Sequence, residues 1–201
     1  MHLLILASQF PSDLFYYLNS KRKLSFQRIS EMNNDDKRIV NIIGDLLDSD
    51  AEYIAHQCNT RTARGKNLAK SVFDRFPHAN IYHREHAKGH HSTVGTIEVC
   101  GGSYGSKDQS LDRGVINMFA QKYPGKSKWD NDSYEKRLKW FRRCLYRIKE
   151  DLHNIRSIAF AKNIGCGCAG GNWAQYKREI ESWVEDWQDG PTIYIIEVSQ
   201  E

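Results

Sequence analysis

This 201-residue chain has no apolar run long enough to cross a bilayer, so no membrane partner is expected. Its opening, Met1-His2-Leu3-Leu4-Ile5-Leu6-Ala7, is too short for a secretory apolar region, and Asp13 soon follows. Cysteine is scarce and uneven: five residues, with no framework spacing. That excludes a disulfide scaffold and points to free thiols in a reduced, intracellular compartment, cytoplasm or nucleus. A strong charge excess is also missing. Lys and Arg number 29 against 25 Asp and Glu, a formal net charge of +4. Such a balance suits an anionic ligand and does not by itself indicate nucleic acid. No internal repeat and no low-complexity segment is present. What remains is a globular composition, 40% hydrophobic and 27% charged, with length for one domain and an ordinary core.

Hydrophobic periodicity divides the chain into alternating strands and helices. Strands are expected at residues 3–7, 38–43, 52–58, 93–100, 115–121, 157–161 and 192–198. Helices are expected at 13–18, at 65–76 with Leu68, Val72 and Phe76 on one face, at 132–152, and at 172–187. The third of these places Leu138, Phe141, Leu145, Ile148 and Leu152 on one face, with Asp132 followed by Glu135 as its cap. The last opens on a capping pair, Asn172 and Gln175, and buries Tyr176, Ile180, Trp183 and Val184. Asp189-Gly190-Pro191 ends it. One hairpin in the middle interrupts the alternation. The fold class is therefore α/β, a three-layer α/β/α sandwich on a mixed, mostly parallel sheet. Residues 1–37, with the basic triplet Lys21-Arg22-Lys23, read as an extension, and 38–201 as the domain.

The densest signal is Lys162-Asn163-Ile164-Gly165-Cys166-Gly167-Cys168-Ala169-Gly170-Gly171-Asn172-Trp173, which a β-rich run precedes and a helix follows. Strand, glycine turn and helix make an anion site, because backbone N–H groups and a helix N-terminus converge on one phosphate. The spacing Gly165-x-Gly167-x-x-Gly170 suggests a dinucleotide fingerprint, but that fingerprint opens its domain, and here one helix and one strand remain. A second loop, His56 to Asn67, also follows a strand. The two loops together would hold an extended phosphorylated ligand, with the Asp45 carboxylate, after Gly44, accepting from an amine.

Five ordered segments, Gly44-Asp45-Leu46, Ile54-Ala55-His56-Gln57-Cys58-Asn59, Arg64-Gly65-Lys66-Asn67-Leu68-Ala69, Arg75-Phe76-Pro77 and Ile164 to Trp173, resemble a macrodomain. The resemblance covers about residue 38 to the C-terminus. It is nearest to the branch of ADP-ribose 1''-phosphate phosphatases and ADP-ribosyl-glutamate hydrolases. It implies an ADP-ribose site. Asp45, flanked by Gly44 and Leu46, would take the adenine amine. Gln57, Cys58 and Asn59 would follow, with Asn59 on the distal ribose. Arg64, Gly65, Lys66, Asn67, Leu68 and Ala69 would line that ribose and its substituent. Ile164, Gly165, Cys166, Gly167, Cys168, Ala169 and Gly170 would wrap the diphosphate. His56, Asn59 and Asp112 are the implied catalytic residues.

Two departures stand out. Gly65-Lys66-Asn67 replaces the family's Gly-x-Gly. Ala169 stands where the glutamate hydrolases carry an aspartate, which argues against their route. His56 is equally readable as a hydrogen-bonded core histidine, Asp112 as a turn carboxylate, and Asp45 as a cap. Cys58, Cys166 and Cys168 are small packing residues or low-pKa thiolates. The run His83-x-x-His86-x-x-x-His90-His91 is a polar loop or a loose metal motif. The five tryptophans pack the core or its rim, or one of them, Phe119 or Tyr123 stacks on adenine. The leading reading is hydrolysis of the phosphate of ADP-ribose 1''-phosphate, with Lys66 and backbone N–H groups neutralising charge. No metal or cofactor is required. The alternatives are release of ADP-ribose from ADP-ribosylated macromolecules, or a non-catalytic ADP-ribose reader.

Overall fold

The computed structural model describes residues 38–62, 64–82, 93–102 and 113–198. The extension 1–37 with its expected strand and helix, the histidine run and Asp112 lie outside the described residues.

Among the described residues six strands form one sheet in the order β1-β6-β5-β2-β4-β3. They are β1 (Ile39–Ile43), β2 (Tyr53–Asn59), β3 (Ile97–Cys100), β4 (Gly114–Gln121), β5 (Ser157–Ala161) and β6 (Thr192–Glu197). All neighbours run parallel except β3 on β4, the expected hairpin. β4 is buried along its whole length, as a central strand covered on both faces must be. Among the described residues three α-helices follow strands: α1 (Leu68–Arg75), α2 (Tyr134–Asp151) and α3 (Trp173–Glu185).

Strand alternation separates two cores. Tyr53 and Ala55 of β2, with Ile116, Met118 and Ala120 of β4, face Phe141, Leu145 and Ile148 of α2 and Tyr176, Ile180 and Trp183 of α3. Ile54 and Cys58, with Val115 and Phe119, face Val72 and Phe73 of α1. Helices on both faces of a mixed sheet make the three-layer sandwich expected from the alternating pattern.

Three boundaries differ from expectation, each for a local reason. The strand expected from residue 93 begins at Ile97, because Gly95 sits at φ +84° in a turn closed by Thr96 Oγ1 donating to Thr93 O at 2.6 Å. The helix expected from residue 65 begins at Leu68, because Asn67 adopts φ 51°. The cap of α2 is Ser133, whose hydroxyl accepts from Lys136 N at 3.3 Å, and not Asp132. Asp132 is drawn into the interior by Arg137. At α3 the expected cap holds: Asn172 Oδ1 accepts from Gln175 N at 3.3 Å.

Candidate functional site

Because β1, β5, β2 and β4 run parallel, the segments that leave them emerge at one edge of the sheet. Open α/β sheets bind ligands outside this carboxyl edge. The segments are 44–48 after β1, 60–67 after β2, 122–132 after β4 and 162–172 after β5.

Gly44 donates its N–H to Glu197 O at 2.9 Å. Asp45 follows as an exposed cap: its Oδ1 accepts from Leu47 N at 2.9 Å and opens a short 3-10 turn, Leu46–Asp48. Leu46 is buried in the α1-side core.

Asn59 builds the loop after β2. Its Oδ1 accepts from Arg61 N at 3.0 Å and Thr62 N at 2.9 Å, while Nδ2 donates to Thr62 Oγ1 at 3.2 Å. Tyr82 Oη stands 3.4 Å from the same amide nitrogen. This is the turn that an Asn side chain makes with its own following backbone. Beside it opens a cleft of about 330 Å³ whose walls include Gln57, Asn59, Lys66, Asn67 and Ala69 on one side and Gln121 and Gly125 on the other. Arg64 also lines it. Gln57 Nε2 donates to Gln121 Oε1 at 2.7 Å across the floor. Gly65 is tightly placed, since a Cβ there would meet the Phe73 ring at 2.9 Å, whereas Leu68 packs against the α1-side core.

The late glycine loop is folded on itself. Cys166 N donates to Asn163 O at 2.8 Å, Gly170 N to Gly167 O at 3.0 Å and Gly171 N to Gly165 O at 3.0 Å. Gly165 at φ +71° and Gly170 at φ +74° require glycine for the backbone itself. A Cβ on Gly165 would also stand 2.5 Å from the Tyr176 ring. Gly167 differs. Its φ is not positive, and among the described residues nothing lies within 4 Å of the place a Cβ would take. Among the described residues no acceptor takes the N–H of Gly167, Cys168 or Ala169. Asn67 Nδ2 reaches Cys168 Sγ at 3.1 Å, so the two glycine-bearing loops touch. Ile164 and Ala169 are buried anchors of the loop.

Two of the residues expected at the site are withdrawn from it. His56 is 1% exposed on the α1 face of β2. Its Nε2 donates to Asn117 Oδ1 at 2.7 Å, and its ring meets Phe73 edge to face. Burial lowers the imidazole to about 4, against a smaller opposing effect of the Asn117 hydrogen bond. Of the two readings open in the sequence, the structure has the neutral core histidine. Cys58, two residues on, shares that face, and burial pushes its thiol up. Burial also pushes Cys166 up to about 11, the opposite of a reactive thiolate. Phe119 is wholly buried and cannot stack on a ligand. Four tryptophans pack in or against the α2/α3 core, while Trp129 is exposed beside Tyr123. Among the described residues no cluster of metal-ligating side chains is present, and no helix is long and apolar enough to cross a membrane.

Sequence reasoning missed Arg137 and the true place of Asp132. Both are buried and paired, and Arg137 donates to Gly125 O at 2.7 Å and Ala169 O at 3.1 Å. An arginine on the buried face of a helix five residues after an aspartate was the available signal.

No protein-family model matches the sequence, and no curated protein matches it. Solved structures do. The macrodomain of Mycobacterium tuberculosis DarG aligns with a TM-score of 0.59 at 24% identity, covering 81% of this chain and 98% of that one. This is a macrodomain fold. A Trypanosoma brucei macrodomain in complex with ADP-ribose aligns with a TM-score of 0.55 at 18% identity, covering 84% of this chain and 68% of that one. An Oceanobacillus iheyensis macrodomain gives a TM-score of 0.58 at 14% identity, with 84% and 88% covered. These macrodomains do not single out the phosphatase branch.

Proposed function

We propose that the protein binds ADP-ribose along the carboxyl edge of the sheet and hydrolyses a substituent at the distal ribose, the phosphate of ADP-ribose 1''-phosphate. Gly167 carries the binding half of this reading. Among the described residues neither its backbone angle nor its packing calls for glycine, and the bare backbone there suits the close approach of a ligand. Unpaired N–H groups at a strand–turn–helix junction suit a diphosphate. The Trypanosoma brucei macrodomain, similar in fold, has ADP-ribose bound. Asp45 at the end of β1 takes the adenine amine, and the cleft beside Asn59 takes the distal ribose. Residues 38–201 are taken as this binding unit, with 1–37 preceding it in the sequence.

For turnover, the burial of His56 moves the acid–base assignment to Asp112. Asn59 and Lys66 position the ribose and the departing phosphate. A water oxygen attacks phosphorus, the bond from phosphorus to the 1'' oxygen breaks, and that oxygen takes a proton. ADP-ribose and inorganic phosphate leave.

A second reading rests on a specific observation. No carboxylate and no imidazole lines the cleft among the described residues. That is the composition of a reader that binds without turnover. One experiment separates the readings. The protein is incubated with ADP-ribose 1''-phosphate and, separately, with ADP-ribosylated protein, and released phosphate and ADP-ribose are measured. Phosphate release that Asp112→Asn abolishes supports the phosphatase. Tight ADP-ribose binding with no release from either substrate establishes the reader. Release from the modified protein alone makes it a hydrolase of ADP-ribosylated macromolecules.

A further inference from the structure

We propose that the buried Asp132–Arg137 pair is a positioning clamp that sets the spacing of the segment after β4 and the late glycine loop, both of which border the proposed ADP-ribose site. The proposal rests on the ADP-ribose reading for its functional half and on geometry alone for its structural half.

Arg137 projects from the first turns of α2 and is 1% exposed; Asp132 is fully buried. Arg137 Nε donates to Asp132 Oδ1 at 3.0 Å, and Nη2 bonds Asp132 Oδ2. An isolated pair of this kind is poor evidence of stability, because desolvation offsets most of the attraction. This pair is not isolated. The Asp132 oxygens accept from Lys122 N at 3.0 Å and Tyr123 N at 3.2 Å, which pins the first two residues after β4. The guanidinium then divides its remaining donors. Nη2 reaches Tyr123 O at 3.2 Å, and Nη1 reaches both Gly125 O at 2.7 Å and Ala169 O at 3.1 Å.

The last two acceptors decide the role. Gly125 lines the cleft beside Asn59, and Ala169 belongs to the late glycine loop. One nitrogen atom thus bonds both loops. The packing agrees: a Cβ on Gly170 would meet Lys126 Cγ at 3.1 Å and Tyr134 Oη at 3.2 Å, so the segment after β4 lies directly on the late loop. The chain of contacts continues across the floor, since Gln121 Nε2 donates to Tyr123 O at 3.0 Å and Gln57 reaches Gln121. Loops are the part of a fold most free to move, and a site built on them needs a fixed support. A planar fork of five donors can hold several carbonyls at fixed separations; an ammonium group cannot.

Arg137→Lys tests this, because lysine keeps the charge beside Asp132 and loses the fork. Hydrogen exchange is measured by mass spectrometry on the ligand-free protein, with ADP-ribose titrated calorimetrically against wild type and variant. The clamp predicts exchange faster by about tenfold or more in segments 122–126 and 165–171, with β2, β4 and the body of α2 unchanged. It also predicts that the folded variant binds ADP-ribose about tenfold more weakly, whatever the shift of its urea midpoint. A merely structural pair would lower protection by a similar factor throughout the domain and leave the affinity of the folded variant unchanged. Unchanged exchange in both segments overturns the clamp. Failure of the wild type to bind ADP-ribose would overturn the ligand reading instead and leave the exchange result standing. If Arg137→Lys does not fold, Asp132→Asn, of equal size, carries the same readouts, and unchanged loop exchange there overturns the clamp.

Discussion

At the scale of single residues, two neighbouring glycines divide folding from binding. Gly165 is held at φ +71° against the Tyr176 ring, so Gly165→Ala should destabilise the domain by more than about 1 kcal/mol. Gly167 has open space, and Gly167→Val should leave the free energy of unfolding within about 0.5 kcal/mol of wild type. Its ADP-ribose affinity should fall by about tenfold or more, because a branched side chain would stand where the diphosphate approaches. A folded Gly167→Val protein with normal affinity would move the phosphate elsewhere. His56 gives a pH prediction. Its imidazole is lowered from 6.5 to about 4 by burial. Between these values the unfolded chain takes up a proton that the folded one refuses, so stability falls as pH drops from 6.5 toward 4. The loss attributable to this group is on the order of 3 kcal/mol. Denaturation at pH 7 and pH 4.5 should show a slope that His56→Gln reduces, and an equal slope in both proteins would count against the assignment.

At the scale of elements, α3 was legible and the start of α2 was not. Asn172, Gln175 and the stripe of Tyr176, Ile180, Trp183 and Val184 are all signals within one helix, and the structure has each in its expected place. At α2, Asp132 and Ser133 are both good caps, and local chemistry cannot choose between them. Arg137 chooses, since burying its charge requires a carboxylate close by. The two residues therefore differ in cost. Ser133→Ala should lose about 1 kcal/mol, the usual value of a cap. Asp132→Ala strands a buried guanidinium and should lose about 3–5 kcal/mol. Urea denaturation of the two variants measures both, and the reverse order would return the cap to Asp132.

At the scale of the whole molecule, the fold gathers segments 44–48, 60–67, 122–132 and 162–172 at one edge. A ligand that spans them binds only the folded state. Free ADP-ribose should therefore raise the thermal midpoint, with about 2.7 kcal/mol of added stability at 100 times its Kd. No shift at millimolar ADP-ribose would remove the proposed function. Cysteine labelling reports the same event locally. Cys168 is exposed on the late loop, whereas Cys58 and Cys144 are buried, with thiols that burial pushes up, Cys144 to about 12. Maleimide should modify Cys168 first, and ADP-ribose should slow that reaction, as read by mass spectrometry. Equal labelling with and without ligand would place ADP-ribose away from the late loop.

By itself the sequence determined the elements that short-range physics decides. Period-2 and period-3.6 apolar patterns placed β5, α3 and the α/β order, and the glycines after residue 161 marked a turn that must expose its backbone. Tertiary structure decided what depends on partners distant along the chain. A strand's apolar pattern does not say which helix will cover each face, so only the assembled sheet shows His56 turned inward against Asn117 and Phe73. Asp132 read alone was a cap; the arginine folded over it made it the anchor of two loops. The cleft itself exists only because parallel pairing sends the ends of β2 and β4 out side by side, and no residue in either strand encodes that meeting alone.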